Sequence, residues 1–482
     1  MEITYGELHF GVNEKYSDEI LVETSVDTSE RGGAEKVLSV EAEVKLSSVE
    51  LLNEEAEVSG KVNYRLLYLD RQNRLCGLDY FKDFKCRVKG DAILPNGKCK
   101  VDFLVPDADA RIKGEEVELS AVVDVALTYY GEGTEKSVAD VTEAETLAEE
   151  VLTQRVDVKE RTVELSKVAD VGLGVKKIVL FGTEVLPVDA KDGMLSGEVK
   201  GTILYVNDAD EIAELTVPIP FSESAEEGVS NIFASVKSAR VVLTDDEAGG
   251  AIEVEVTLSL TETVYEDAAL SVLTACCGEK NVVEETFKER SVTRFAARRA
   301  YCESVSGSVP VEGVVKELFV RPGCRAVADV TVTDGAVKVE GVAAFHVVYG
   351  TEDGYRAERA ELPFVCELPF AEAKEGMTAE VGVKVADPVG SLRGKDVRIT
   401  ANVYLEVALF EKKVFRYLAE ATEGAPIPES DAGISVYFAE KGENLYAIAR
   451  NMGVLPSVLV KANPFLAEPI EESRKILVFR QK

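Results

Sequence analysis

Apolar and polar residues alternate with a period of two through most of this chain. In Gly60 to Tyr68, "GKVNYRLLY", the side chains of Val62, Tyr64, Leu66 and Tyr68 fall on one face of a strand, and those of Lys61, Asn63 and Arg65 on the other. Such alternation suits an antiparallel sheet with one face on a core. The pattern returns as "GEVKGTILY" from Gly197 and "GVAAFHVVY" from Gly341, each reading Gly, seven residues, Tyr. The tyrosines stand 137 and 144 residues apart, a domain-sized period rather than the 20 to 50 residues of a solenoid. After each comes a polar stretch, "LDRQNR", "VNDADE" or "GTEDGY", and another strand-like run, which predicts hairpins.

A second segment also recurs three times, "VELSAVVDVALTYY" from Val117, "IEVEVTLSLTETVY" from Ile252 and "VRITANVYLEVALF" from Val397, all rich in β-branched residues. "KERTV" at Lys159 and "KERSV" at Lys288 mark the second and third copies upstream. The fold expected is mainly β: three tandem antiparallel β-sandwich or barrel-like domains at 1–148, 149–287 and 288–423. A Pro/Gly-containing linker at 424–434 then leads to a small α+β unit at 435–482.

In that unit the period changes. Val436 to Ala439 form a strand, Asn444 is a suitable N-cap, and Leu445, Ile448, Ala449 and Met452 follow at helical spacing until Gly453 ends the helix. Pro456 opens a second helix with Leu459 and Ala462 inward, and Lys475 to Arg480 supply a closing strand. The order expected is βααβ.

Charge and composition then remove whole function classes. The formal charge is −33, from 54 basic and 87 acidic residues, which repels phosphate backbones and anionic lipid, so no nucleic-acid partner is expected. From Ser435 onward there are seven basic and five acidic residues, leaving 47 against 82 in the acidic body. The N-terminus lacks a signal-peptide pattern and no segment approaches 18 apolar residues; a soluble cytoplasmic protein without membrane insertion is expected. Eight scattered cysteines without CxxC spacing predict reduced thiols, with the vicinal pair Cys276 and Cys277 buried.

Catalytic chemistry is equally thin. Two histidines, His9 and His346, allow no HExxH motif and no Cys/His or Ser/His/Asp set, so no enzyme, no cofactor and no metal are expected. His346 takes the place of Arg65 and Thr202 in the repeat and points away from Phe345, Val347 and Tyr349, toward a face expected to meet water. "GLG" at Gly172 to Gly174 is too short for a dinucleotide fingerprint and reads as a turn. Asp208 and Asp210 lack the glycine and glutamate of a calcium loop, and suit a hairpin tip.

The stretch "KGENLYAIARNMGV", with Asn463 downstream, resembles a LysM domain over about the last 48 residues. The resemblance implies binding loops at Gly442, Glu443, Asn444, Leu445 and Tyr446, and at Asn463, Pro464, Phe465 and Ile470, in a family that commonly binds N-acetylglucosamine glycans. Glu472, Ser473, Arg474 and Lys475 stand where that family has Tyr-Pro-Gly-Gln, Glu443 replaces its Asp, and Leu455 cannot cap by its side chain. Exposed apolar residues such as Tyr446, Val460 and Phe465 suit a protein interface instead. β-rich repeats followed by such a tail resemble the SipL-type spore coat assembly proteins with DUF3794 repeats. That resemblance implies a non-enzymatic scaffold in the mother cell, at the forespore surface and spore coat, docking through its tail on an ATPase-type coat morphogenetic protein. The other reading is a peptidoglycan-binding protein of cell wall or cortex.

Overall fold

A computed structural model describes residues 1–171, 174–246, 249–428, 433–466 and 470–479. It is mainly β. In chain order the strands are β1 (Ile3–Asp27), β2 (Ala34–Leu51), β3 (Glu55–Asp70), β4 (Leu75–Lys89), β5 (Lys98–Lys113), β6 (Glu116–Val141), β7 (Ala144–Asp170), β8 (Val175–Val185), β9 (Asp189–Lys191), β10 (Met194–Asn207), β11 (Ile212–Ser224), β12 (Val229–Asp246), β13 (Gly249–Gly278), β14 (Asn281–Pro310), β15 (Glu317–Thr333), β16 (Ala336–Thr351), β17 (Gly354–Pro369), β18 (Thr378–Arg393), β19 (Asp396–Pro426), β20 (Ile434–Ala439) and β21 (Arg474–Phe479). Two short helices, α1 (Leu445–Met452) and α2 (Pro456–Ala462), separate the last two strands.

The same sheet pattern occurs three times, always antiparallel. The first set has sheets β1-β6-β5 and β2-β3-β4; the second has β7-β13-β12 and β8-β10-β11, with β9 beside β10; the third has β14-β19-β18 and β15-β16-β17. In each set the repeated Tyr lies in a core built from both sheets: Tyr68 with Leu119, Tyr205 with Val254, and Tyr349 with Ile399. Residues 149 and 288 fall within β7 and β14, and residues 424–426 within β19.

The repeated glycine has a steric cause. Gly60, Gly197 and Gly341 pair with Phe84, Phe221 and Phe364 on the next strand, and a Cβ at each glycine would lie 2.7, 2.6 and 2.4 Å from a carbon of that ring. Only a residue without a side chain admits the phenylalanine there. Two residues past each Tyr, the hairpin tip is tied by a side chain that accepts backbone N–H groups. Asp70 accepts from Gln72 and Arg74, Asn207 from Ala209 and Glu211, and Thr351 from Asp353. Asp208 and Asp210 belong to this tip, with Asp210 against Lys176. Gly172 and Leu173 lie outside the described residues.

The three sets close on one another. Leu67, Leu204 and Val348, each the residue before the repeated Tyr, meet in one buried cluster with Leu38, Leu180 and Phe319. The aromatic residues ending the second repeated segment also converge: Tyr265 lies 6.5 Å from Tyr130 and 6.4 Å from Phe410 between ring centroids. Equivalent positions therefore gather about common points, and the third set returns to the first, with Lys100 3.4 Å from Glu380.

This closure corrects the expectation for His346. Parity does point it away from the Phe345, Val347 and Tyr349 core, but the face it joins is partly covered by β2 of the first set, and the side chain is half-buried rather than open to water. Burial holds its imidazole below the ordinary value, and Arg65, at the equivalent place, is 6% exposed. Alternation identifies the face of a strand; it carries no information on what packs there.

Candidate functional site

The tail's local structure follows from its caps. Asn444 accepts the Ala447 N–H at 3.0 Å, and Gly453 ends α1 in the left-handed region at φ 62°. Leu455 opens α2 without a side-chain cap, Pro456 filling the first turn. Leu445, Ile448, Ala449, Leu459, Ile470, Ile476 and Val478 form the core under the β20-β21 sheet, with Cys277 of β13 completing it.

The two loops named from sequence do meet. Gly442 N–H donates to the Ile470 carbonyl at 2.7 Å, and Ile470 N–H returns to the Glu443 carbonyl at 3.2 Å. Their polar side chains, however, are occupied within the tail. Glu443 accepts from the Tyr437 hydroxyl and from Glu440 N–H. Asn463 is 2% exposed: its amide donates to the Leu459 and Leu477 carbonyls and its oxygen accepts from Leu477 N–H, pinning α2 to β21. Leu445 and Ile470 are core residues, and Pro464 and Phe465 are exposed. Residues 467–469 of this loop and Arg480 lie outside the described residues.

Tyr446, the remaining loop residue, turns to the body. Its hydroxyl donates to the Thr146 carbonyl at 2.9 Å. Around it Ser457 N–H and hydroxyl donate to Glu145, Arg450 pairs with Glu285, and the Cys277 thiol donates to the Val454 carbonyl at 3.5 Å. The helical side of the tail is thus seated where β7, β13 and β14 converge. Facing outward are Ile434, Val436 and Phe438 of β20 and Leu477 of β21, all large and exposed, with the Lys475 ammonium 5.1 Å from the Phe438 ring and the Arg474 guanidinium 4.8 Å from that of Phe465.

A second cluster, invisible in the sequence, sits at the junction of the three sets. Arg321 of β15 is 1% exposed; its Nε donates to Glu41 of β2 at 2.9 Å and another nitrogen to Glu214 of β11 at 3.2 Å. Arg65 of β3 lies 3.7 Å from Glu41, pairs with Glu43 at 2.7 Å, and donates to the Phe181 carbonyl of β8 at 3.3 Å. Burial would raise the Glu41 carboxyl, but Arg321 and Arg65 outweigh it and hold the group below its ordinary range. At Glu214 and Asp79, whose carboxyls stay partly exposed, desolvation by the surrounding protein outweighs the neighbouring arginines and both are raised. Beside this cluster a cavity of about 660 Å³ is crossed by further pairs between sets, Lys200 with Asp387 at 2.5 Å and Arg325 with Glu184 at 3.2 Å. No local signal marks Arg321, Lys200 or Arg325, since their partners lie more than 100 positions away.

Elsewhere the chemistry is plain. His9 is exposed, 3.6 Å from Glu7. Among the described residues no group of three or more His, Cys, Asp or Glu is placed to hold a metal ion, and no helix is long and apolar enough to cross a membrane. Cys276 and Cys277 are buried free thiols, each pushed up to about 11 mainly by that burial.

No curated protein and no solved structure gives a significant match to this chain. Residues 34–113 and 318–388 match the family model described as "SipL, SPOCS domain". These stretches cover β2 to β5 of the first set and β15 to β18 of the third, the same four strands in each. A shared match on equivalent strands, consistent with a role connected to sporulation, supports a SipL-like protein.

Proposed function

We propose that this chain is a non-enzymatic scaffold of bacterial spore coat assembly. In this reading the three sets, of six, seven and six strands, are tandem β-sandwich domains, the segment spanning β8 to β12 is a third copy of the unit matched at 34–113 and 318–388, and the tail is a LysM-like docking module. Its partner is a coat morphogenetic protein of the ATPase type at the forespore surface. The observation that carries docking on protein, rather than on a glycan, is the fate of the loop side chains. Glu443, Asn444 and Asn463 are consumed by the tail's own hydrogen bonds and Tyr446 by the body. The outward face carries the large apolar Ile434, Val436, Phe438 and Leu477 beside Arg474 and Lys475, and such apolar surface suits protein contacts better than a hydroxyl-rich sugar.

The test is titration of the full chain with the purified coat morphogenetic protein and, separately, with N-acetylglucosamine oligomers. Binding of the protein, abolished by Phe438→Asp, is expected. Binding of the oligomers alone would instead establish the peptidoglycan-binding alternative.

A further inference from the structure

His346 of the third set lies beside β2 of the first. On β16 it is in register with Arg321 of β15 and with Arg359 of β17, so an arginine flanks it on each neighbouring strand. From the first set it meets the Val40 backbone and the Glu41 carboxylate on β2. Those charged neighbours have partners of their own: Arg359 lies 3.6 Å from Asp107 of β5, Arg321 3.2 Å from Glu214 of β11, and Glu41 3.7 Å from Arg65 of β3, which also pairs with Glu43. Apolar Leu38, Phe319 and Val348 pack together in the cluster alongside.

We propose that this junction is an acid-operated joint: a proton on His346, between Arg321 and Arg359, loosens the third set from the first and bares the apolar cluster beside it. The group that protonates must also be the group that opens the joint. Burial, with Arg359 and Arg321 adding to it against Glu41, keeps the imidazole below its ordinary 6.5 in the closed form. A depressed histidine binds its proton more readily once released, so its contribution to closure is complete above 6.5 and lost as pH falls below that value. Glu41, also depressed, acts in the same direction only further down. Glu214 and Asp79 are raised and oppose opening as they take up protons. His346 is therefore the group that loosens the joint first. The inference is independent of what the tail binds.

The test is amide hydrogen exchange of the full chain at pH 7.5 and 5.5, corrected for intrinsic rates. Uptake of one proton on opening accelerates exchange by at most about tenfold per pH unit. A rise approaching that is expected in peptides from β2, β15 and β16, with β6 unchanged. In His346→Gln, neutral throughout, the pH response disappears. An equal response in that variant, or none in the parent, overturns the joint. If the variant does not fold, the imidazole signals decide: the chain has two histidines, and the His346 resonance must titrate with the same midpoint as the exchange. Titration without a change in exchange refutes the proposal.

Discussion

Replacing Arg321 with methionine tests the ionic junction most directly. The guanidinium is 1% exposed and serves carboxylates from two other sets, Glu41 at 2.9 Å with 9% of its side chain exposed, and Glu214 at 3.2 Å with 30% exposed. Removing it leaves Glu41 buried against Arg65 alone, 3.7 Å away. Two unit charges about 4 Å apart interact by roughly 4 kcal/mol at an effective dielectric of about 20. Part of that is offset because the arginine's own desolvation also disappears, and loss of one partner of a buried pair typically costs about 3–5 kcal/mol. Arg321→Met should therefore destabilise by about 3 kcal/mol, read from urea unfolding at pH 7.5. Arg321→Met with Glu41→Leu should recover most of the loss, because Glu214 can turn to water and Arg65 keeps Glu43. A cost below about 1 kcal/mol, or a double variant worse than the single, would refute the assignment of Arg321 as the electrostatic centre. The exposed pair Lys176 and Asp210 is the control, and Lys176→Ala should leave the midpoint unmoved.

Other outcomes follow from single contacts. Asn463→Ala removes two hydrogen bonds to Leu477 of β21 and one to Leu459 of α2, about 1 kcal/mol each, so hydrogen exchange should show the tail loosening while the three sets stay protected. Loss of glycan binding in that variant would accordingly report unfolding rather than a contact. Tyr16, whose hydroxyl contacts Asp91 and the Ala92 N–H, is pushed up to about 12 mainly by burial; its contribution to stability holds below pH 10 and is lost between 10 and 12, where ultraviolet titration should find it. Of the eight thiols only Cys302 is exposed, so one equivalent should react rapidly with a thiol reagent in the folded chain and the rest only after unfolding.

Much of the architecture was legible in the residues themselves. Period-two alternation located the strands, and the Gly-to-Tyr spacing revealed the threefold repeat because a steric need, glycine under a phenylalanine of the next strand, recurs at the same register. Helix caps at Asn444 and Gly453 were equally readable, since a cap involves neighbours three or four residues away. The loop assignments were legible only in position: Gly442 and Ile470 do meet, yet Asn463 and Glu443 point into the tail's own bonding.

Chain sequence determined what each strand hides on one face, because side-chain direction is a local property of the backbone. Tertiary structure alone decided what lies against the other face. Arg65, Thr202 and His346 read alike as solvent positions, and it is the docking of three sets on one another that turns two of them into parts of a buried ionic junction. The contacts responsible, Arg321 to Glu41 and Arg321 to Glu214, span 280 and 107 residues, and no pattern within a strand encodes a partner that distant.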